Sequence, residues 1–468
     1  MRSPLHPIRP AAQQAKRWHA TASLLRLLVC RRFLLENRKA LFRNLLRAVP
    51  VSAETGTAPK SLMFRAPLRR TGIHFGGERS GRSRCGRLVG IALVAVGITM
   101  QAPRAQQPEA TTVPPATALP SSPRQDGRAT AAAGPTLAGS LADPAAWRLY
   151  RSQFVTEQGR IIDSANDRIS HSEGQGYGML LAVAANDRAS FERIWGWTRA
   201  NLMVRPDALM AWRWAPDKRP AVADLNNASD GDILVAWALT EAAEAWGEPS
   251  YRTAARRIAV EFGRKAILFK DPHGPLILPA VSGFSAQDRS DGPLVNLSYW
   301  VFPAFQRLPI VAPEYDWAAV IRSGLGLVRQ ARFGPSSLPT EWISAKADVV
   351  RPADGFPTLF SYNAIRVPLY LAWAAVGQPE DVAPFRRLWG GIEGERLPIV
   401  DTSDGRPAEW LTEPGYGALP ALVACAVDNT PWPESLETVQ PNQNYYPTTL
   451  HLLSLITVRM RYPSCLKR

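Results

Sequence analysis

Apolar side chains recur at intervals of three and four residues along most of this 468-residue chain, from about Leu141 to its C-terminus. That spacing places them on one face of an α-helix. We predict helices over the stripes 191–202, 234–245, 251–262, 365–376 and 450–460. Gly247 and Gly377 follow two of these stripes and are typical helix ends, because glycine adopts the left-handed conformation without strain.

Alternation of apolar and polar residues, the pattern of a half-buried strand, never extends far, although 276–278 could form a short strand. Connectors rich in Pro, Gly and Asp separate the helices, and no repeat of fixed length is visible. Many helices in antiparallel pairs with long loops are typical of a helical toroid rather than a compact bundle. We therefore predict one all-α domain over 141–468, with minor short strands in its connectors.

The formal net charge of +15 would ordinarily indicate a nucleic-acid or membrane partner. Residues 1–105, however, hold 20 of the 55 Lys and Arg residues and only three acids, a net of +17. The rest of the chain therefore carries a net of −2. A net charge so close to zero over residues 106–468 argues against a nucleic-acid partner.

An uncharged apolar run at 88–100 follows three arginines and precedes Ala102-Pro103-Arg104-Ala105. Basic flank, short apolar core and A-x-A-like end are typical of a secretory signal. The run is also shorter than the roughly 20 residues that a spanning helix needs. We predict cleavage near Ala105 and a secreted or periplasmic protein that meets the membrane only through this segment. An uncleaved anchor is the alternative.

Signals normally begin a chain, so we interpret 1–62 as a basic extension from a start assigned too far upstream. Met63 is then a candidate start, and 63–105 is the signal region. Residues 106–140 are rich in Pro, Ala and Thr and poor in large apolar side chains, which predicts a flexible linker.

Cys425 and Cys465 are the cysteines of the predicted exported part. An oxidising compartment permits a disulfide between them, but two free buried thiols are equally compatible with their spacing. The histidines of this part show no ligand spacing with each other or with Cys. We therefore expect neither a metal site nor a cofactor.

The segment 171–178, His-Ser-Glu-Gly-Gln-Gly-Tyr-Gly, is the first candidate for chemistry. Ser172 and Gln175 have the spacing of a capping box, which predicts a helix start. Glu173 could then merely complement the helix dipole. Three glycines in five residues argue for more, because they leave a surface free of side chains where a polymer could approach the backbone.

The second candidate is 226–232, Asn-Asn-Ala-Ser-Asp-Gly-Asp, again before an apolar helix. A helix cap by Ser229 or Asp230 is the simplest explanation. Two acids and two amides exceed what a cap requires, and paired carboxyls are what glycoside hydrolysis needs. A helix N-terminus lowers the pKa of a carboxyl, whereas a general acid needs a raised pKa. The charge of Asp230 could supply that rise for Glu173 if the two are close.

Tryptophan is abundant, with 15 residues, and several aromatic side chains lie in or beside connectors. Core packing explains any one of them. Together they suit a cleft in which apolar sugar faces stack on aromatic rings. They are Trp212, Trp214, Trp300, Trp342, Trp410, Tyr445 and Tyr446.

The runs SEGQGYGMLLAVAANDRASFERIWGWTRANL and ASDGDILVAWALTEAAEAW resemble the catalytic-acid segment and the signature of glycoside hydrolase family 8. The likeness spans roughly 142–462 and is greatest to the endoglucanases of bacterial cellulose-synthesis operons. It implies an (α/α)6 barrel, an inverting mechanism and a β-1,4-glucan substrate. It also implies Glu173 as proton donor and Asp230 as the signature acid, a residue that distorts the central sugar or serves as nucleophile.

One position departs from the family pattern. The resemblance places the usual base, an Asp, at Asn363 of Ser361-Tyr362-Asn363-Ala364-Ile365-Arg366, and an amide cannot take a proton from water. Glu341, Asp348 and Asp354 in the preceding connector are candidate replacements. Glu341 stands out, since a Glu in such a connector serves as base in some members, chitosanases among them.

Further residues match the family's sugar contacts. The resemblance implies that substrate-binding side chains are Gln175, Tyr177, Trp212, Asp232, Tyr299, Tyr362, Arg366 and Tyr446.

We therefore expect an exported endo-β-1,4-glucanase that trims cellulose-type glucan, with the cellulose synthase export complex as a candidate partner. A chitosanase or xylanase on the same fold, or a glycan-binding protein weakened by Asn363, are the alternatives.

Overall fold

The computed structural model describes residues 136–390 and 396–466. The extension 1–62, the signal region 63–105 with its apolar run, the cleavage position near Ala105 and most of the linker lie outside them. The helices are α1 Pro144–Phe154, α2 Ser172–Ala184, α3 Arg188–Asn201, α4 Ser229–Trp246, α5 Pro249–Ala266, α6 Phe302–Arg307, α7 Trp317–Gln330, α8 Arg366–Ala374, α9 Pro379–Gly390, α10 Ala418–Asp428 and α11 Tyr445–Arg461.

Short strands occupy the connectors. They are β1 Ser170–His171, β2 Arg213–Trp214, β3 Ile267–Leu268, β4 Leu276–Ile277, β5 Leu294–Val295, β6 Ile343–Ser344, β7 Arg351–Pro352, β8 Leu359–Phe360, β9 Leu397–Asp401 and β10 Pro407–Leu411. All pair antiparallel, as β1–β2, β3–β4, β5–β6–β7 and β8–β9–β10. The predicted all-α domain with minor strands in its connectors is confirmed.

The predicted helical stripes are buried. Phe191, Ile194 and Thr198 of α3 have no exposed surface, and Gly247 ends α4 in the left-handed conformation at φ +62°. Helix α8 stops earlier than predicted, because Ala375 already takes the left-handed conformation two residues before Gly377. Helix α11 begins at Tyr445, five residues before its apolar stripe.

Helices α2 and α4, which carry the two acidic segments, pack very closely. A Cβ on Gly176 would come within 2.5 Å of the Leu234 Cβ, and a Cβ on Gly231 would overlap the Ser172 side chain. A Cβ on Gly178 would meet Ile161. The expectation that the glycines of 174–178 free a surface for a polymer is therefore wrong for Gly176 and Gly178. Gly176 instead lets α2 touch α4, and Gly178 lets the connector residue Ile161 pack against α2.

Neither helix start is capped as predicted. His171 caps α2 through its imidazole, while the Ser172 hydroxyl has no partner and Gln175 points into the core. Ala228 precedes α4 without a side-chain cap, and Ser229 donates to the Leu278 carbonyl. The capping box and the Ser229 or Asp230 cap are therefore wrong, because tertiary contacts use these side chains.

A disulfide joins Cys425 of α10 to Cys465 after α11, with their Cα atoms 6.0 Å apart. This resolves the two alternatives for these cysteines. Leu137 is already buried, so packing against the domain begins a few residues before the predicted boundary at 141. Among the described residues, no helix is both long enough and apolar enough to span a membrane.

Candidate active site

Glu173 lies in the first turn of α2 and keeps a partly exposed carboxyl, with 18% of its side chain accessible. Its Oε2 accepts a 2.6 Å hydrogen bond from Nη1 of Arg366. Helix packing fixes its backbone, because Gly231 of α4 lies directly against Ser172 and the Glu173 amide. The predicted acid is therefore held rigidly while its carboxyl remains accessible.

Asp230, at the start of α4, is buried beside Glu173. Its Oδ2 lies 3.1 Å from the same Arg366 Nη1, and the two carboxyls are hydrogen-bonded to each other. Burial and then the charge of Glu173 raise the pKa of Asp230 to about 7. Asp230 is the more buried of the two carboxyls, with 3% of its side chain exposed against 18% for Glu173. Near neutral pH this pair can retain a proton.

Arg366 connects the two carboxyls to Asn363. Its side chain is 1% exposed and lies at the start of α8, where Nη1 also contacts the Tyr177 hydroxyl at 3.3 Å. Nη2 donates to Ser298 at 3.0 Å and to Oδ1 of Asn363 at 2.8 Å. One buried cation thus orients both carboxyls and the amide at the position of the usual base. Its guanidinium points to these groups, so its predicted role as a cleft-lining sugar contact is replaced by positioning.

Glu341 lies next to Asn363. Its Oε1 accepts a 2.7 Å bond from the Asn363 backbone N–H, and its own N–H donates to the Leu359 carbonyl of β8. Burial raises the pKa of Glu341 above its ordinary value of 4.5. A connector carboxylate therefore lies beside Asn363, the position at which the resemblance places the usual base.

The other connector candidates lie elsewhere. The side chain of Asp354 is 63% exposed and pairs with Arg351, while its backbone carbonyl accepts from Arg289. Asp348 is exposed in the loop before β7. None of these contacts reaches Arg366 or Glu173, so the structure argues against Asp354 and Asp348 as the base.

Gln175 and Asp232, two of the predicted substrate contacts, have no exposed surface. Gln175 is fully buried, accepts from the Ile161 amide at 2.7 Å and donates to Thr198 at 2.9 Å. Asp232 is fully buried and accepts from the Met210 amide at 2.9 Å and from Asn227 at 2.8 Å. Helical periodicity turns both side chains away from Glu173 and Asp230, so they fasten neighbouring loops instead.

Tyr177 is also buried, and its hydroxyl shares a hydrogen bond with Tyr370. Tyr299 is 8% exposed. Burial, followed by the charge of Asp230, raises the pKa of Tyr299 well above its usual range. Both tyrosines are therefore buried near the carboxyls. The geometry does not support a direct sugar contact for either of them.

The partly exposed aromatic residues are better placed. Tyr362 lies between β8 and α8, and its hydroxyl donates to Glu409 at 3.1 Å. Tyr446 donates to the Tyr362 carbonyl at 2.6 Å, with the two rings 6.5 Å apart. The Trp212 indole donates to Asp224 at 2.9 Å. These three predicted sugar contacts retain accessible ring surface.

Other aromatic residues of the predicted cleft belong to the core. Trp300, Trp342 and Tyr445 are at most 5% exposed. Trp214 is partly buried against Trp197, and Trp410 is 44% exposed on the edge strand β10. Core packing therefore explains part of the high tryptophan content.

Several residues of the site have no counterpart among the predicted ones. They include His171, Asp163, Ser298, Tyr370 and Glu409. His171 lies two residues before Glu173 in the segment that the sequence analysis singled out, whereas Ser298, Tyr370 and Glu409 come from distant segments. Among the described residues no group of three potential metal ligands comes together.

Known proteins resemble this chain over the same region. The profile of the family described as "Glycosyl hydrolases family 8" matches residues 128–458. A probable endoglucanase of Novacetimonas hansenii is 36% identical over 68% of this chain and 93% of its own length. An endoglucanase of Cellulomonas uda is 38% identical over 49% of this chain and 63% of its own.

Solved structures agree. A Klebsiella pneumoniae endoglucanase described as a family 8 glycosyl hydrolase has a TM-score of 0.61 at 33% identity, covering 68% of this chain and 99% of that one. An endo-β-1,4-glucanase of Acetobacter xylinum has a TM-score of 0.61 at 34% identity, covering 69% and 98%.

Proposed function

The chain belongs to glycosyl hydrolase family 8, and on that premise we propose that it is an exported, inverting endo-β-1,4-glucanase with Glu173 as its acid. Family membership makes the chain a glycoside hydrolase and confirms the predicted (α/α)6 barrel. The observation that carries the assignment of the acid is the cluster in which the buried Asp230 and Arg366 contact the partly exposed Glu173.

In this reaction Glu173 protonates the glycosidic oxygen as the bond to the anomeric carbon breaks. Asp230, whose pKa burial raises to about 7, holds a proton close to Glu173 and passes it to the Glu173 carboxylate after donation. Solvent then resupplies the acid side with a proton and accepts the one that the base took from water. Arg366 stabilises the carboxylate that Glu173 becomes after donation. Asp230 thus acts on the acid as well as on the central sugar.

Glu341 is the base that we assign. Its carboxylate takes a proton from a water, and the resulting hydroxide adds to the anomeric carbon on the face opposite the leaving group. The Asn363 backbone N–H orients that carboxylate, while the Asn363 side chain accepts from Arg366. An amide at this position therefore supports the base without replacing it.

The assignment of the acid is tested with Glu173→Gln. This variant should lose essentially all hydrolysis of carboxymethylcellulose, about 10²- to 10⁴-fold or more, because proton donation to the leaving group is removed. Binding of cello-oligosaccharides, measured by calorimetry, should stay near the wild-type value. Near-normal turnover in Glu173→Gln would refute the assignment. Proton NMR of the first product should show the α-anomer, since inversion of a β-linkage yields it.

The polymer is a β-1,4-glucan, as in the endoglucanases that the chain resembles. Glu341 also favours a second candidate, a chitosanase, because the sequence resemblance connects a connector Glu with that activity. Initial rates on carboxymethylcellulose, chitosan and xylan at equal concentration decide between them. Highest kcat/KM on chitosan would overturn the glucan proposal, and binding without turnover on all three would favour the weakened glycan-binding protein.

We further propose export with cleavage near Ala105 and work beside the cellulose synthase export complex. The Cys425–Cys465 disulfide supports export, because disulfides persist in oxidising compartments. The proposed connection with cellulose rests on the likeness to endoglucanases, among them the probable endoglucanase of Novacetimonas hansenii. N-terminal sequencing of the exported protein tests the cleavage, and co-purification with the synthase complex tests the partner.

A further inference from the structure

Helix α2, which carries Glu173, begins at an unusual capping residue. Nδ1 of His171 accepts a 2.9 Å hydrogen bond from the backbone N–H of Gly174. Ser, Thr, Asp and Asn usually fill this role. An imidazole differs from them because it has a second nitrogen, and the state of that nitrogen decides whether the first can accept.

The second nitrogen faces a carboxylate. Nε2 of His171 lies 3.5 Å from Oδ2 of Asp163, and both side chains are mostly buried, at 16% and 14% exposure. Asp163 is fixed in its loop, because its N–H donates to the Ile169 carbonyl and its Oδ1 accepts from the Ala165 amide. The Tyr445 ring meets the imidazole edge-on at 5.8 Å. The imidazole is therefore held on three sides.

Three carboxylates face this ring: Asp163 from the preceding loop, Glu173 from α2 and Asp230 from α4. Tyr445 contributes the neutral face from α11, and Arg213 pairs with His171 through the backbone of β2. Burial lowers the pKa of His171, but the bond to Asp163 and the nearby carboxylates outweigh it and raise that pKa above 6.5.

Protonation of His171 has a structural consequence. A proton on Nδ1 turns an acceptor into a donor, which then opposes the Gly174 N–H. The surrounding acids favour that proton, while the capping bond excludes it. Loss of the cap frees the first turn of α2, in which Glu173 is the second residue.

We propose that His171 is the positioning residue of the acid: Asp163 holds its proton on Nε2, Nδ1 caps α2 and fixes Glu173, and protonation of Nδ1 in mild acid releases that cap. The proposal rests on the assignment of Glu173 as the acid. kcat should therefore fall in two steps as the pH is lowered. The upper step follows protonation of His171, and the lower step follows protonation of the base Glu341.

Matched variants separate the cap from the titration. His171→Ala removes both and should lower kcat about ten- to hundredfold with KM nearly unchanged, because the acid is misplaced by a fraction of an ångström to an ångström. His171→Asn restores an oxygen acceptor that does not titrate. It should lose only about threefold in kcat at the optimum and should lack the upper acidic step. Asp163→Asn should move that step to lower pH, since the protonated ring loses its partner.

His273→Asn is the control, because His273 lies outside this cluster and the variant should keep both steps. Wild-type kcat in His171→Ala, or an unchanged acidic limb in His171→Asn, would overturn the proposal.

A measurement without turnover keeps the proposal testable if a variant misfolds. In the full chain labelled with ¹⁵N-histidine, the resonances absent from His171→Asn identify His171 among the six histidines. Nδ1 should be unprotonated at the pH of maximal kcat and should protonate in parallel with the upper step. Protonation of both nitrogens at that pH would refute the inference. This readout is independent of Glu173→Gln, whose activity tests the acid alone.

Discussion

The two sides of the proposed cleft are built in different ways. The acid side consists of two buried helix starts, where Glu173 and Asp230 are brought together by the close packing of α2 on α4. The base side comes from a connector, where the Glu341 amide donates to β8 and the Glu341 carboxylate accepts from the Asn363 backbone. Arg366 is the common element, since it contacts both carboxyls and Asn363.

This difference indicates which side of the proposed cleft tolerates amino-acid substitution. On the acid side, geometry depends on glycines that no other residue can replace without moving a helix. On the base side, a carboxylate from a connector can substitute for one at the start of α8, because only the position of an oxygen near the water matters. In the proposed mechanism, the family's usual Asp can therefore be an Asn here, because Glu341 supplies the carboxylate.

The largest expected effect concerns the base. Glu341→Ala should lower kcat about 10²- to 10⁴-fold, because no group then takes the proton from water. Added azide, which needs no deprotonation, should restore product formation as the α-glycosyl azide. The lower step of the wild-type acidic limb should lie above pH 4.5, since burial raises the pKa of Glu341 and only its ionised form is active. Activity without azide in this variant would move the base elsewhere.

The second effect concerns helix packing on the acid side. Gly231→Ala should reduce the free energy of unfolding by about 1–3 kcal/mol, because the new methyl group overlaps Ser172 and approaches the Glu173 amide. Urea denaturation measures this. Gly196→Ala is the matched control: it lies inside α3 with nothing within 4 Å of the added Cβ, so it should stabilise by up to about 1 kcal/mol. Equal effects in both variants would contradict the packing argument.

Asn363→Asp should have a smaller effect. We expect kcat to change by less than about tenfold, because Glu341 already performs the proton transfer. The acidic limb should move to higher pH, since a second carboxylate beside Glu341 raises the pKa of Glu341. A rise in kcat well beyond tenfold, measured at saturating carboxymethylcellulose, would show that Asn363 weakens the wild-type site.

Asp354→Asn should have the smallest effect. Its carboxylate is exposed and pairs only with surface arginine, so kcat should stay within about twofold of wild type. It serves as the control for Glu341→Ala, because both acids come from the same connector. A loss comparable to that of Glu341→Ala would exchange their roles.

Much of the fold follows from local pattern. The stripe of Phe191, Ile194 and Thr198 predicted α3 and its buried face, because helical spacing is set by neighbours in the chain. Glycine was harder to interpret: Gly247 ends a helix as predicted, whereas Gly176 and Gly231 serve a contact between helices that no single segment reveals.

The candidate site divides in the same way. Asp230 and Asp232 are two residues apart, both are buried, and burial raises the pKa of each to about 7. Only their partners distinguish them, since Asp230 meets Glu173 and Arg366 while Asp232 meets Met210 and Asn227. Burial and a raised pKa are common to both carboxyls, so only the hydrogen-bond partners place Asp230 beside Glu173 and Asp232 in the core.

By itself the sequence determined the all-helical fold, the family and the acidic helix starts at Glu173 and Asp230, because each depends on spacing within one segment. Tertiary structure alone decided that Glu341 lies beside Asn363 and that Gln175 and Asp232 turn away from Glu173 and Asp230. These facts join residues far apart in the chain or on opposite faces of one helix. Packing brings such groups together, and a linear pattern carries no distance between them.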